Sequence, residues 1–411
     1  MSGRVLALVE SNTSGTGRLF VRRARDLGLR PVLLTEDPSR YRFGGDEPEI
    51  LRAPTGDVAE VAAACRGLAG TAGPLAGVGT SSDYYVEVAA AVAARLGLPG
   101  GDAAAIEATR DKERQRNRLR DGGVPVPRFA AVSTADEAAA AVAGIGTPVV
   151  VKPVTGSGSR GVRLCVSAEE AVRYADKLLG VTADERGRPV PRRVLVERYV
   201  PGEEYSVEVF GELAVGVTRK HLGSPPTFVE VGHDHPADLA REDEEALCAA
   251  ALAAVSRLGL SFGPAHAELR LGADGPVIIE VNPRLAGGWI PRLVHEATGV
   301  DLVMETVRAF AGRPPRRSPR PPAVARASSI RFLLPDREGD LVAVHGTDRA
   351  AAVPGVVETE IYKEPGSVVR LEGDFRDRIG HVITRTGTAS SAAAAAEEAL
   401  ARLAPEIRTG P

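Results

Sequence analysis

The chain has 411 residues, 44% of them hydrophobic, which is enough for two or three domains with their own cores. Acidic and basic residues nearly balance, 54 against 51, which excludes the overall positive charge typical of nucleic-acid-binding and anionic-membrane proteins. Cys65, Cys165 and Cys248 match no metal-ligand spacing, and the apolar run at residues 5–9 is too short to cross a membrane. We therefore expect a cytoplasmic protein with reduced cysteines.

The first hundred residues alternate between strand-like and helix-like segments. Strands are predicted at residues 4–10, 31–35 and 75–79, and helices at residues 18–27, 58–68 and 83–96. This alternation predicts an open α/β domain over residues 1–105. The Ser- and Gly-rich loop at residues 11–17 is either an anion site at a helix N-terminus or only the tight turn that such folds need.

A second unit follows a highly charged helix at residues 111–122, which carries Lys112 near its start and is typical of a solvated face. The next predicted strand has Lys152 at its end and leads into a glycine-rich stretch at residues 155–161. Residues 162–166 alternate like a strand, so the glycines form the tip of a hairpin and not the turn of a dinucleotide-binding fold. Such a tip either caps phosphates with its amides or serves only as a turn.

The rest of the second unit mixes strands and helices and ends at a basic linker. Helices are predicted at residues 168–179, 237–258, 289–297 and 301–311, two strands joined by a Pro-Gly turn at 194–209, and one strand at 213–220. Residues 313–322 consist almost only of Pro and Arg, which predicts a stiff basic linker and a domain boundary. We therefore expect domains at residues 1–105, 106–312 and 313–411, the last being strand-rich with a helix at 390–403.

A β-hairpin centred on Asp274 is the most informative stretch of the second unit. In a register symmetric about Asp274, Glu268 lies opposite Glu280 and His266 lies opposite Asn282, with all four side chains on one face. The other face must be buried, which fixes the register. That predicted apolar face consists of Ala267, Leu269, Leu271, Val277, Ile279 and Val281.

The polar face of this hairpin predicts a metal site. Two glutamates directly opposite one another repel unless a positive charge lies between them. Glu268, Glu280 and the amide oxygen of Asn282 offer the hard oxygen ligands that Mg²⁺ prefers, and Mg²⁺ usually shares its other positions with water and phosphates. Arg284 lies four residues after Glu280, so it would point to the same face and reach an anion beside the metal. The alternative is an amphipathic hairpin whose charged face meets water.

Taken in chain order, these motifs resemble those of the ATP-grasp superfamily. The motifs that carry the resemblance are Lys112, Lys152 with its glycine hairpin, residues 196–200 and 202–208, Glu268, and residues 280–284. The twelve-residue step between the two glutamates, followed by Asn-x-Arg, is the most specific part. Residues 287–301 and 366–387 resemble the amino-acid and dipeptide ligase branch. The resemblance implies an ATP-grasp fold after the open α/β domain, completed by the C-terminal subdomain.

The resemblance also implies a nucleotide site. Lys112 and Lys152 would bind ATP phosphates under a closing loop that contains Gly156, Ser157, Gly158 and Gly161. The adenine hinge would consist of Glu197, Arg198, Tyr199 and Val200. Glu204, whose neighbour is Glu203, would lie near the ribose. Lys220 or His221 either contacts phosphate or has a structural role.

The reaction that the resemblance implies is the ATP-dependent ligation of a carboxylate to an amine. Glu268, Glu280 and Asn282 would hold two Mg²⁺ ions, with Mn²⁺ as an alternative, and Arg284 would hold the carboxylate and its acyl phosphate. The expected partners are small acids and amines, such as amino acids, and we expect a homodimer. Two alternatives stay open: a bicarbonate-dependent carboxylase of the biotin or purine type, and a non-catalytic nucleotide-binding regulator. Trp289 either shapes the substrate pocket or belongs to the core.

Overall fold

The fold is taken from a computed structural model, which describes residues 3–13, 15–71, 73–184, 186–314 and 326–409. The predicted linker at residues 313–322 lies almost wholly outside these residues. Within the described ranges, no helix is long and apolar enough to span a membrane.

A parallel four-stranded sheet begins the chain, with the strand order β3-β2-β1-β4. Its elements are β1 (Val5–Val9), α1 (Gly17–Asp26), β2 (Arg30–Thr35), β3 (Glu49–Arg52), α2 (Val58–Thr71), β4 (Leu75–Gly79) and α3 (Val86–Arg95). All of β1 is buried, because α1 covers one face of the sheet while α2 and α3 cover the other. The predicted open α/β unit is confirmed. The edge strand β3 was not predicted, because it is mostly exposed and has no apolar pattern.

Two connecting helices lead to a small antiparallel sheet with the strand order β5-β8-β6-β7. These elements are α4 (Ala103–Arg110), α5 (Lys112–Asp121), β5 (Phe129–Val132), α6 (Ala135–Ile145), β6 (Val149–Pro153), β7 (Arg163–Cys165), α7 (Ala168–Leu179) and β8 (Val194–Arg198). Strands β6 and β7 pair around the glycine-rich stretch, which confirms the predicted hairpin.

An eight-stranded sheet forms the centre of the molecule, with the strand order β13-β12-β9-β10-β11-β14-β18-β16. Its strands and adjoining helices are β9 (Glu203–Phe210), β10 (Leu213–Leu222), β11 (Glu230–His235), α8 (Arg241–Leu258), β12 (Pro264–Gly272), β13 (Gly275–Asn282), α9 (Ile290–Thr298), α10 (Leu302–Phe310) and β14 (Ala327–Leu333). The C-terminal elements are β15 (Gly339–His345), α11 (Thr347–Ala351), β16 (Val356–Ile361), β17 (Val368–Val369), β18 (Gly380–Thr386), α12 (Ala389–Leu400) and β19 (Ala404–Arg408). A three-stranded sheet, β17-β15-β19, completes the C-terminal part.

The register of the β12–β13 hairpin is partly as predicted. Glu268 lies opposite Glu280 and His266 lies opposite Asn282, but a bulge after Glu268 shifts the pairing nearer the turn. Because of this bulge, Ile278 enters the core and its amide donates to the carbonyl of Pro125. The predicted apolar face was therefore wrong at two positions, since Val277 is only half-buried and Ile279 lines a cleft.

Two predicted helices differ from the structure. The charged helix α5 is not solvated on all sides, because Lys112, Gln115, Arg116 and Leu119 are buried at the spacing of one helical face. The predicted helix at 237–258 begins only at Arg241, because the amide of Ala237 donates instead to the carbonyl of Val217 in β10.

Candidate active site

A cleft of about 880 Å³ lies between the small antiparallel sheet and the eight-stranded sheet. All the site residues predicted from the sequence line this cleft, except Gly161 and Lys220. They arrive from four sources: the start of α5, the ends of β6 and β8, the strands β9, β12 and β13 with the segment that follows β13, and the glycine loop between β6 and β7. The fold therefore brings together residues that lie up to 172 positions apart in the sequence, from Lys112 to Arg284.

A buried triad of charges forms one wall of the cleft. The ammonium of Lys152 lies 2.6 Å from Oε2 of Glu197, and Nε of Arg116 donates to Oε1 of Glu197 over 2.6 Å. Burial lowers the pKa of Lys152 although Glu197 opposes this effect. For Glu197, burial would raise the pKa, but Arg116 and Lys152 together lower it. One carboxylate between two cations leaves a net positive charge in this buried wall of the cleft, which favours an anionic ligand.

Lys112 connects the metal-site candidates to the glycine loop. Its ammonium lies 3.2 Å from Oε1 of Glu280 and donates to the carbonyl of Gly156 over 2.9 Å. The side chain is placed by the start of α5, where the carboxylate of Asp111 accepts from two backbone amides as an N-cap. Both predicted lysines thus face the same cleft from different elements.

Lys220 lies behind the cleft and holds three carboxylates that face it. Its ammonium is 2.9 Å from Glu204, 3.0 Å from Glu230 and 3.1 Å from Glu268. Burial would lower the pKa of Lys220, but these carboxylates raise it well above its ordinary value. His221 points the other way along the strand and pairs with Asp234. Lys220 therefore has the position that the structural role predicts, since it holds the carboxylates of the cleft from behind, and His221 does not line the cleft.

Glu204, rather than Glu203, belongs to the cleft. Its carboxylate pairs with Lys220 on one oxygen and with Nε of Arg270 on the other, the latter over 3.1 Å. Glu203 is exposed and pairs with Tyr205 and Arg219 outside the cleft.

The opposed glutamates are each neutralised by a cation. Glu280 pairs with Lys112, while Glu268 pairs with Lys220 and with Nε2 of His266 over 3.0 Å. The other ring nitrogen of His266 lies 2.8 Å from Glu208. Burial opposes a charged imidazole, but these two carboxylates raise the pKa of His266 to about 9. Together with Asn282, these carboxylates form an all-oxygen set of the kind that Mg²⁺ prefers. In the structure the positive charge beside the opposed glutamates comes from Lys112, Lys220 and His266, so the metal ion stays a prediction.

Arg284 lies where the cleft meets the N-terminal domain. Its Nε donates to Oδ1 of Asp83 over 3.0 Å, one terminal nitrogen donates to the carbonyl of Leu285, and the other donates to Oγ of Ser157 over 3.2 Å. Burial would raise the pKa of Asp83, but the guanidinium lowers it. One arginine therefore links the N-terminal domain, the glycine loop and the end of β13.

The glycine loop packs against the C-terminal part of the chain. Gly158 has φ +69, and a Cβ there would lie 2.5 Å from the ring of Phe375. The guanidinium of Arg160 lies 3.9 Å from the buried carboxylate of Asp374 in the same segment. Gly161 lies at the base of the loop against Pro153 rather than in the cleft. Only glycine permits the approach of Phe375 at position 158.

Several residues of the site were not predicted. Arg116 and Gln115 lie on the buried face of α5, and the helical spacing from Lys112 to Arg116 is the feature that could have identified the first. Gln115 exchanges two hydrogen bonds with the backbone of Val281 and so holds the edge strand β13. Asp83 lies 201 residues from Arg284, and nothing local indicates that contact.

Trp289 belongs to the core and not to the cleft. It is 5% exposed, packs with Leu293 and Ile330, and its ring nitrogen donates to the hydroxyl of Tyr362 over 3.1 Å. Arg18 lies over its ring at 5.3 Å. The core alternative for this tryptophan is therefore the one that the structure favours.

Comparisons with known proteins agree with this geometry. Residues 145–292 match the ATP-grasp domain model, and residues 331–408 match the model of the L-amino acid ligase C-terminal domain 2. The uncharacterized protein y4rH of Sinorhizobium fredii is 37% identical over 390 residues, covering 95% of this chain and 80% of that protein. Carnosine synthase 1 of Gallus gallus is 30% identical over 409 residues, covering 91% of this chain but only 43% of the synthase.

A solved structure extends the likeness to the whole fold. The crystal structure of an L-amino acid ligase from Bacillus licheniformis superposes with a TM-score of 0.82 at 23% identity, covering all of both chains. The chain belongs to the ATP-grasp superfamily, in its amino acid ligase branch, and is an enzyme of the class that forms C–N bonds.

Proposed function

We propose that the protein forms an amide bond between two small molecules, at least one of them an amino acid, and that it activates the acid as an acyl phosphate with release of ADP and phosphate. The observation that carries this proposal is the position of Arg284, at the end of the strand that carries Glu280 and Asn282 and beside the glycine loop. A carboxylate held there would lie next to the phosphate-binding end of the cleft.

The nucleotide would lie along the length of the cleft. Lys112, Lys152 and the loop residues Gly156, Ser157 and Gly158 would bind its phosphates, while residues 197–200 would lie against the adenine. Glu204 would face the ribose. The side chain of Glu197 would contribute through Lys152, because its two carboxylate oxygens pair with Arg116 and Lys152. The roles proposed for the lysines rest on their position, because both buried side chains line the cleft and Lys112 reaches the glycine loop.

Phosphoryl transfer to the acid needs position and charge neutralisation more than covalent help. A carboxylate oxygen attacks the terminal phosphate of ATP, and ADP leaves. Arg284 would hold the carboxylate and follow its charge into the acyl phosphate, since a guanidinium can pair with either. The amine then attacks the acyl carbon, phosphate leaves, and the amine loses one proton.

The ligand set for a metal is Glu268, Glu280 and Asn282. Mg²⁺ held there would neutralise phosphate oxygens during transfer. Lys220 and His266 hold Glu268 in place from behind, and Lys112 reaches Glu280 from the phosphate side. We propose two ions at this site, with Mn²⁺ as an alternative, because two carboxylates and one amide can be shared between two hard cations.

The two alternative functions are less well supported. A carboxylase would use the same nucleotide cleft, but residues 331–408 match the L-amino acid ligase C-terminal domain 2 model. A regulator that only binds nucleotide would not need a complete set of oxygen ligands beside two lysines, and this chain retains that set. Metal-dependent turnover would exclude the regulator.

A screen of paired acids and amines for ATP-dependent phosphate release, followed by product mass, tests the proposal. We expect phosphate release only when an acid and an amine are both present, and a product equal to their sum less one water. Phosphate release driven by bicarbonate, with no amino acid in the mixture, would support the carboxylase instead.

Oligomeric state and compartment stay predictions from the sequence. We expect a homodimer and a cytoplasmic location, with no nucleic-acid or membrane partner. Size-exclusion chromatography with light scattering tests the dimer, and localisation of the tagged full chain tests the compartment.

A further inference from the structure

A second cavity, of about 660 Å³, lies between the N-terminal sheet and the end of the β12–β13 hairpin. Its walls come mainly from β4, α3, α4 and α10, and from the segment after β13. Ala90 and Ala93 on α3, Ile106 on α4 and Phe310 on α10 represent these apolar walls. None of these four residues lines the nucleotide cleft.

The cavity lies where an open α/β sheet usually binds ligands. Strands β1 and β4 are adjacent and parallel, and the helices that follow them lie on opposite faces of the sheet. A crevice opens at the carboxyl ends of such a strand pair. The loops that follow β1 and β4 are hydrogen-bonded to each other there. Oγ of Ser81 lies 2.9 Å from Oγ of Ser11 and accepts from the amide of Asn12 over 3.0 Å. Ser81 and Asn12 both line the cavity.

Arg284 lines both the cavity and the nucleotide cleft, and no other described residue does so. It is also the one charged side chain among the described residues around the cavity. A ligand group in this space therefore meets alkyl and aromatic walls with a few hydroxyl and amide groups at the rim. No described residue that lines the cavity carries a carboxylate, and the carboxylate of Asp83 is already paired with Arg284, so burying a cationic chain there would be costly.

We propose that this cavity receives the side chain of the acid substrate and selects an amino acid with an apolar side chain. The inference rests on the proposed function, because it takes Arg284 as the residue that holds the reacting carboxylate. With the carboxylate on the cleft side of Arg284, the carbon chain extends toward α3. Each methylene buried there raises affinity by a factor of about four, so the length of the chain decides the preference.

Binding measurements test this without requiring turnover. Calorimetry with the full chain, Mg²⁺ and a non-hydrolysable ATP analogue would compare leucine, alanine and lysine. We expect leucine to bind roughly tenfold or more tightly than alanine, as two or three buried alkyl carbons imply, and lysine to bind more weakly than alanine. Preference for lysine or aspartate over leucine would overturn the proposal.

A cavity-filling variant makes the test specific. Ala90→Leu adds side-chain volume to the buried face of α3. We expect it to lower the binding affinity for leucine roughly tenfold, while the affinity for alanine changes by less than about threefold. Ala94→Leu on the exposed face of the same helix is the matched control and should change neither. Equal losses for leucine and alanine, or the same loss in the control, would refute the assignment.

A second variant keeps the test decisive if Ala90→Leu does not fold. Ile106→Ala enlarges the cavity, and we expect it to raise the binding affinity for phenylalanine, relative to the affinity for leucine, by roughly tenfold. No change in that ratio would overturn the proposal. If leucine binds as expected but no acid and amine pair releases phosphate, the ligase function fails while the cavity assignment stands. If condensation occurs without any effect of the two cavity variants, the cavity assignment fails alone.

Discussion

Arg284 is anchored by a carboxylate from a different domain: its Nε donates to Oδ1 of Asp83 over 3.0 Å, across 201 residues of sequence. This contact uses the side of the guanidinium that faces the N-terminal sheet. The terminal nitrogen that reaches Ser157 faces the glycine loop. The N-terminal domain therefore contributes to the cleft by fixing the orientation of an arginine that lies two residues after the end of β13.

Asp83→Asn removes the charge that holds Arg284 and keeps the size of the side chain. We expect the rate of ADP formation to fall roughly 10- to 100-fold with little change in nucleotide affinity, since a small misplacement of a positioning group affects the rate most. Steady-state kinetics with separate nucleotide-binding measurements check this. Asp57→Asn, at an exposed helix cap, is the matched control. A variant that loses nucleotide affinity instead of rate would contradict the positioning role.

Arg284→Lys keeps the positive charge and loses the planar fork. We expect a large fall in the rate of ADP formation with nearly unchanged nucleotide binding, because an ammonium lacks the planar fork that would hold a carboxylate through two parallel hydrogen bonds while the Nε side still pairs with Asp83. Combining this change with Asp83→Asn should add little to the effect of either alone, since both act on one contact. Fully additive losses would show that the two residues act independently.

Glu280→Gln removes one of the two opposed charges of the proposed metal site. We expect Mg²⁺-dependent turnover to fall by roughly 10²- to 10³-fold while the free energy of unfolding changes little, because the carboxylate faces the cleft and not the core. Titration of Mg²⁺ at saturating ATP measures the effect. Glu398→Gln on the surface helix α12 serves as the control. Unchanged turnover at saturating Mg²⁺ would remove Glu280 from the site.

The glycine loop is expected to become ordered when nucleotide binds. Phe375 packs on Gly158 from the C-terminal part, so Phe375→Ala should speed amide hydrogen exchange in residues 156–161 of the free protein. Nucleotide should restore part of the protection through phosphate contacts. Leu371→Ala, a half-exposed residue of the same segment, is the control. Equal exchange in the loop with and without ATP would count against a lid.

His235 should make stability dependent on pH. Burial lowers its pKa to about 4, although Glu208 opposes this effect. Because the folded pKa lies below the ordinary value of about 6.5, the neutral ring's contribution is complete above pH 6.5 and is lost as pH falls toward 4. Between pH 8 and pH 5.5 the loss from this group is about 1 kcal/mol.

Urea unfolding at these two pH values measures that contribution. We expect His235→Gln to lose less stability between pH 8 and pH 5.5 than the unaltered protein does. His345→Gln, at an exposed histidine on the strand β15, is the matched control for replacing a histidine by an amide. An identical pH dependence in His235→Gln would show that the buried imidazole is not responsible.

The sequence predicted those parts of the fold that local patterns determine. Short apolar runs located β1 and β4, alternating residues located the β12–β13 hairpin, and the helix at 168–179 was predicted with its observed bounds. Patterns also identified the opposed glutamates. They missed β3, whose exposed edge carries no apolar alternation, and the bulge that moves Ile278 into the core, because its amide pairs with Pro125 in a distant segment.

The supporting contacts of the site could not be predicted in the same way. Arg116 appears in a run of charged residues typical of a solvated helix, and its burial is explained by two distant partners, the carboxylate of Glu197 and the carbonyl of Ile279. The contact of Asp83 with Arg284 depends on how two domains meet. Such pairs arise from tertiary packing, so the sequence could predict which residues would carry the chemistry but not which residues hold them.

The central claim is that an acid is activated by direct phosphoryl transfer, and the fate of its carboxylate oxygen tests this most directly. The protein would be incubated with ATP, Mg²⁺, an amine and leucine labelled with ¹⁸O in its carboxyl group, and the products examined by mass spectrometry. The account predicts ADP together with phosphate that carries one ¹⁸O atom, because the attacking oxygen leaves with the phosphoryl group. Pyrophosphate together with AMP that carries the label would contradict it.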